Sequence, residues 1–127
     1  MSRAKELFGD NDYFSDYSRI VWSFGNVLVE VTDDDYQGDS RFILEKDGKY
    51  GFLYFGWGSC SGCDALQSCD NYEQVDELID DLERGIVWKD SIKEIKEYVS
   101  TRLSETVGPY SYRKEEWYDF INKVNNL

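Results

Sequence analysis

KYGFLYFGWGSCSGCDALQSC, residues 49–69, is the stretch on which the reading of the fold turns. From Tyr50 to Trp57 it is aromatic or aliphatic at nearly every position instead of every second one. A strand apolar on both faces is central in its sheet and covered on both sides. Gly56, Gly58 and Gly62 then allow the backbone to leave the sheet sharply, and Cys60, Cys63 and Cys69 come next. Most of the chain before this junction reads as sheet, and the chain after it reads as helix.

Upstream, Asp47-Gly48 separates Tyr50–Trp57 from a strand over Arg41–Lys46, and Asp-Gly between two such runs signals a tight hairpin. Ile20–Phe24 and Val27–Thr32 are β-branched and aromatic runs flanking Gly25-Asn26, which predicts a second hairpin with positive φ at its turn. Asp33–Ser40 (DDDYQGDS) reads as a loop. Asp10–Arg19 has no clean period, so a loop and a short helix both remain open. Ser2–Phe8 is expected to form a short helix capped by Ser2 and stopped at Gly9.

Downstream, Asn71 with Gln74 three residues on marks a helix start. Tyr72, Val75, Leu78, Ile79 and Leu82 then share one face, and Gly85 ends the helix. Ile86–Trp88 is a brief strand or connector. A longer helix capped at Asp90 or Ser91 comes after it, with Ile92, Ile95, Val99 and Leu103 inward, until Gly108-Pro109 breaks it. Trp117, Phe120, Ile121 and Val124 mark a last amphipathic helix. The sum is one α+β domain over residues 1–127: a small antiparallel sheet of three to four strands (about 20–57) packed with two to three helices (about 72–84, 91–105 and 113–126).

Charge is the most unusual global property. The chain has 127 residues, 26 acidic and 14 basic, a net charge of −12 and no histidine. Residues 6–83 carry 19 acids against four bases, whereas residues 84–127 carry seven against eight. Such a surface repels phosphate backbones and attracts basic protein surfaces. Direct nucleic-acid binding is disfavoured; binding to a protein that itself holds nucleic acid is not. On the predicted helix, Glu73, Asp76, Glu77, Asp80, Asp81 and Glu83 face away from the apolar stripe, and Asp33, Asp34 and Asp35 add to the same sign. Like charges one turn apart cost the helix a few tenths of a kcal/mol per pair, roughly. These nine residues are the expected partner-binding set, with reversal of Asp76, Asp80 and Asp81 to Lys expected to abolish partner binding and spare the fold. Aromatic anchors among Tyr13, Tyr36, Tyr110 and Tyr112 would supplement the charge.

The three thiols admit three readings. Cys60-Ser-Gly-Cys63 with Cys69 has a spacing at which thiolates meet one zinc ion, Asp64 or Asp70 supplying a fourth ligand. A catalytic dithiol is the second reading, against which stand the antiparallel hairpins before the motif and its distance from the helix start. In the third, the cysteines only pack the turn, which an odd count fits best. No cofactor other than that zinc is implied. Without histidine a Ser/His/Asp or Cys/His arrangement is impossible, and no phosphate loop or dinucleotide fingerprint is present. The sequence contains no run long and apolar enough for a membrane helix and no signal-peptide core, so a cytoplasmic location is expected.

GDSRFILEKDGKYGFLYFGWGSCSGCDALQSC, positions 38–69, resembles a segment of small bacteriophage and bacterial proteins in which a strand ends in a similar Gly-Trp-Gly-Ser-Cys-x-x-Cys-Asp turn. No activity is assigned to that group, so the resemblance implies a phage or mobile-element setting and no residue roles. Small acidic phage proteins include DNA mimics and inhibitors of host defence nucleases, of the anti-CRISPR and anti-restriction kinds. The expected function is therefore an inhibitor that occludes the basic nucleic-acid-binding surface of a host complex. A metal- or redox-centred domain and a virion assembly protein are the alternatives.

Overall fold

In a computed structural model of the chain, residues 2–9, 17–33, 38–58, 64–106 and 114–127 are described, without the side chains of 103–106 and 114. Four strands, β1 (Asn26–Thr32), β2 (Gly38–Lys46), β3 (Lys49–Trp57) and β4 (Val87–Lys89), form an antiparallel sheet in the order β1-β2-β3-β4. Asp47 and Gly48 both take positive φ, 54° and 79°, the backbone a two-residue hairpin between twisted strands requires. The turn pairs Lys46 with Lys49. At Gly51 a Cβ would stand 2.7 Å from Ile86 Cγ2 and 2.9 Å from the Trp88 ring, so the bare backbone is what lets β4 close onto β3.

Helices cover both faces of the sheet. On one face lie α1 (Arg3–Phe8), α2 (Tyr17–Phe24) and α3 (Tyr72–Arg84), whose Phe8, Ile20, Phe24, Val75 and Ile79 pack with Phe42, Leu44, Leu53 and Phe55. On the other lie α4 (Ile92–Thr106) and α5 (Lys114–Asn125), where Ile95, Val99, Trp117, Phe120 and Val124 pack with Val29, Val31, Ile43 and Phe52. The architecture is α+β. β3 lies between β2 and β4 only over Tyr50–Phe52; Gly51, Phe52, Leu53 and Phe55 are buried, whereas Tyr54 is 47% exposed, so the unbroken apolar run is covered on both faces only in part. Among the described residues no helix is long and apolar enough to cross a membrane.

The starts of α3 and α4 share one device. Asn71 Oδ1 accepts from Gln74 N while Gln74 Oε1 accepts from Asp70 N; Ser91 Oγ accepts from Glu94 N while Glu94 Oε2 accepts from Asp90 N. Each cap thereby satisfies a backbone donor on either side of the helix start. At the other end, the Lys96 ammonium donates to the carbonyls of Asn125 and Leu127, tying α4 to the C-terminus of α5.

One expected element is wrong. Ile20–Phe24 is not a strand but the second half of α2, and Gly25-Asn26 joins that helix to β1 without positive φ. Ile20, Val21 and Phe24 are buried while Trp22 is 63% exposed, a helical pattern that packing imposes over β-branched propensity. Gly25 is needed for space, since a Cβ there would lie 2.8 Å from the Glu45 carbonyl oxygen.

Candidate functional site

The acidic side of α3 is not a row of free carboxylates. Asp76 Oδ1 accepts the Ala4 backbone N–H at 2.7 Å, capping α1 from a different element, together with Ser2 Oγ on Lys5 N. Arg3 forks onto Glu83 at 3.0 and 3.2 Å and stands 3.5 Å from Asp80. Its guanidinium holds its proton more tightly as a result, through the Glu83 hydrogen bond first. Asp81 pairs with Arg84 one turn on, and the Tyr72 hydroxyl donates to the Gly9 carbonyl. Four of the six expected carboxylates therefore hold α1 and the end of α3 in place. Glu73 and Glu77 remain exposed one turn apart, with no ion-pair partner among the described residues.

Asp33 belongs elsewhere. It is 3% exposed, and its Oδ1 accepts from Arg41 Nη1 at 2.9 Å while its Oδ2 accepts from Asp39 N at 2.8 Å. Arg41 is wholly buried and lies over the Trp117 ring at 4.4 Å. Asp33 is thus a structural carboxylate, not a surface one. Asp34 and Asp35, like Tyr13, Tyr36, Tyr110 and Tyr112, lie outside the described residues. Sequence reasoning missed this ion pair because an arginine in a short strand reads as a surface residue.

The junction after β3 is organised by Asp64, which is 5% exposed. Its Oδ1 accepts from Leu66 N, Gln67 N and the Tyr17 hydroxyl, and its Oδ2 accepts from Gly58 N at 2.8 Å. The Gln67 amide returns a bond to the Gly58 carbonyl. Three donors meet Oδ1 and one meets Oδ2, so both oxygens of the carboxylate that the zinc reading offers as a fourth ligand are already engaged. It serves instead to tie the two ends of the segment carrying Cys60 and Cys63, both of which lie outside the described residues. The Tyr17 hydroxyl accepts in turn from Leu66 N, and burial drives its pKa upward.

Cys69 is half-buried and donates its S–H to the Ala65 carbonyl at 3.3 Å. Burial first, then the negative charges of Asp70, Asp64 and Glu77, raise its pKa. The shift favours the thiol over the thiolate form. Among the described residues no group of three His, Cys, Asp or Glu side chains is placed to hold a metal ion.

What the described site can do chemically is electrostatic. It presents fixed negative charge on a braced helix, beside a turn whose flanks Asp64 and Gln67 tie together. No protein-family model, curated protein or solved structure matches the chain.

Proposed function

We propose that the chain is a protein-interaction module that inhibits a nucleic-acid-binding host complex, of the anti-CRISPR or anti-restriction type, by covering the basic surface that holds DNA or RNA. The observation that carries this reading is the pair Glu73 and Glu77, exposed and without an ion-pair partner among the described residues, on a helix whose other carboxylates are anchored by Arg3, Ala4 and Arg84. Bracing lowers the ordering cost of presenting charge, and fixed charge of one sign steers association with a surface of the other. Glu73 and Glu77 engage lysines and arginines that otherwise contact phosphates.

Competition tests it. Labelled duplex DNA is bound to restriction endonucleases and to guide-loaded CRISPR effectors, and displacement by the protein is followed by fluorescence anisotropy at several salt concentrations. The expected result is salt-sensitive displacement from at least one complex, reduced about tenfold or more by Glu73→Lys/Glu77→Lys, as loss of two charge pairs implies. Equal displacement by the double variant sinks the electrostatic mechanism, and no displacement from any complex sinks the inhibitor reading.

A further inference from the structure

Beside the Asp64 turn, on the sheet face that carries α2, a cleft of about 250 Å³ opens between α2, β1–β3 and Gly58. Its walls are aromatic: Tyr17 and Phe55 lie 4.7 Å apart, Phe42 stacks on Phe55 at 5.8 Å, and Trp57 closes one side. Its polar side is a directed chain. The Trp57 indole donates to Ser40 Oγ at 3.0 Å; Ser40 and Thr32 hydroxyls are bonded at 3.0 Å; Thr32 donates to Glu30 Oε2 at 3.3 Å. Because a carboxylate only accepts, the Thr32 proton goes to Glu30 and the Ser40 proton to Thr32. Every proton in this relay is spent, and its polarity points toward a negative charge at the exposed Glu30. The Tyr17 hydroxyl is likewise spent on Asp64. Among the described residues no lysine or arginine lines the cleft.

Aromatic faces, an acceptor at the rim and the Thr32, Ser40 and Tyr17 hydroxyls, whose protons are already given, select a cationic donor against an anion. Size narrows the choice: the cleft falls below the roughly 300–1,000 Å³ of ordinary small-molecule sites but holds one long side chain. A planar guanidinium both stacks on rings and forks onto a carboxylate, which an ammonium does less well. We propose that this cleft is a receptor for one arginine side chain of the basic partner, stacked on the half-buried Trp57 and hydrogen-bonded to Glu30. The inference rests on the basic partner proposed above, and it adds to the charge of α3 a pocket that fixes register.

The test uses the full chain alone. The Trp57 indole N–H resonance is followed by NMR during titration with N-acetyl-arginine amide, N-acetyl-lysine amide and N-acetyl-glutamate amide, each in the tens of millimolar. The arginine probe is expected to shift it saturably, the lysine probe to bind more weakly, and the glutamate probe to leave it unmoved. Glu30→Gln, at an exposed position, should weaken arginine binding about tenfold, the size of one charge-assisted hydrogen bond. Thr32→Val, which unlinks Glu30 from the relay, should weaken it less. An unmoved indole, or an equal response from Glu30→Gln, overturns the cleft as an arginine site. Because no partner is present, that failure leaves the competition result for Glu73 and Glu77 standing. Loss of competition in that variant conversely leaves this titration intact.

Discussion

Arg41 keeps a full charge with no exposed surface, and its Nε and Nη2 find no hydrogen-bond acceptor among the described residues. Besides the Val31 and Asp39 carbonyls, each 3.5 Å from Nη1, two things hold it there. Asp33 supplies the opposite charge at 2.9 Å, and the Trp117 ring supplies its electron-rich face at 4.4 Å, where desolvation makes a cation–π contact worth about 2 kcal/mol. A pair of this kind adds little net stability, yet removing one partner strands the other in a low dielectric. Asp33→Ala is therefore expected to lower unfolding free energy by about 3–5 kcal/mol in urea titration. Asp33→Ala/Arg41→Met should lose clearly less, because the orphaned charge is removed with its partner. If the double variant is no more stable than Asp33→Ala, Asp33 acts as a hydrogen-bond acceptor for the Asp39 backbone and the charge pairing is incidental. The tight Arg41–Asp33 geometry also fixes where β1 ends, since Asp33 N returns to the Asp39 carbonyl across the β1–β2 connection.

At the scale of elements, α1 has only six residues, too short to persist on propensity. It is held by packing and by what α3 lends it: the Asp76 carboxylate at its N-terminus and Glu83 and Asp80 on Arg3. Asp76→Ala is accordingly expected to cost about 1 kcal/mol, as loss of a helix cap does. It should also raise hydrogen exchange selectively at the Ala4 amide. Exchange that rises evenly across the chain would show instead that Asp76 supports the whole core. The same geometry corrects the expectation that reversing Asp76, Asp80 and Asp81 spares the fold: a lysine at 76 places an ammonium against a backbone N–H. It also shows which elements the sequence announced. Asp47-Gly48 and Asn71 with Gln74 were legible because their chemistry is local. Tyr17, Ile20, Val21 and Phe24 carried a helical spacing all along, but the Ile20-Val21 run and Gly25-Asn26 beside it favoured a hairpin. The β1–β2 register slip between Val27 and Val29 was invisible, because a bulge inverts the alternation from which strand faces are read; Val27 packs toward α2 while Val29 and Val31 pack toward α5. The role of Asp64 is only partly legible, because two of its donors, Leu66 N and Gln67 N, are local while Tyr17 and Gly58 are remote or featureless in sequence.

For the whole molecule, a net charge of −12 sets stability against surface potential. Exposed carboxylates on α3 repel one another, and salt screens that repulsion over a Debye length of about 10 Å at 0.1 M. Thermal midpoints should therefore rise with sodium chloride between low and moderate ionic strength. Within that background, Glu73 and Glu77 are a like-charged pair at four-residue spacing, lying beside Asp70, Asp80 and Asp81. Placing lysines there replaces repulsion with attraction to those neighbours, while at 73, in the first turn of α3, it gives up the attraction of a carboxylate for the helix N-terminus; few-tenths contributions per pair less that loss leave a rise of about 1 °C in melting temperature at low salt. The gain should fade as salt is added. This makes Glu73→Lys/Glu77→Lys informative twice. A variant that is more stable yet no longer displaces DNA from a defence complex would mean that the two carboxylates are kept at a cost to the fold, as binding residues are. A variant that is less stable would mean that the charges serve folding, through Glu73 at the N-terminus of α3 or through contacts outside it, and the acidic face would then need no partner to explain it.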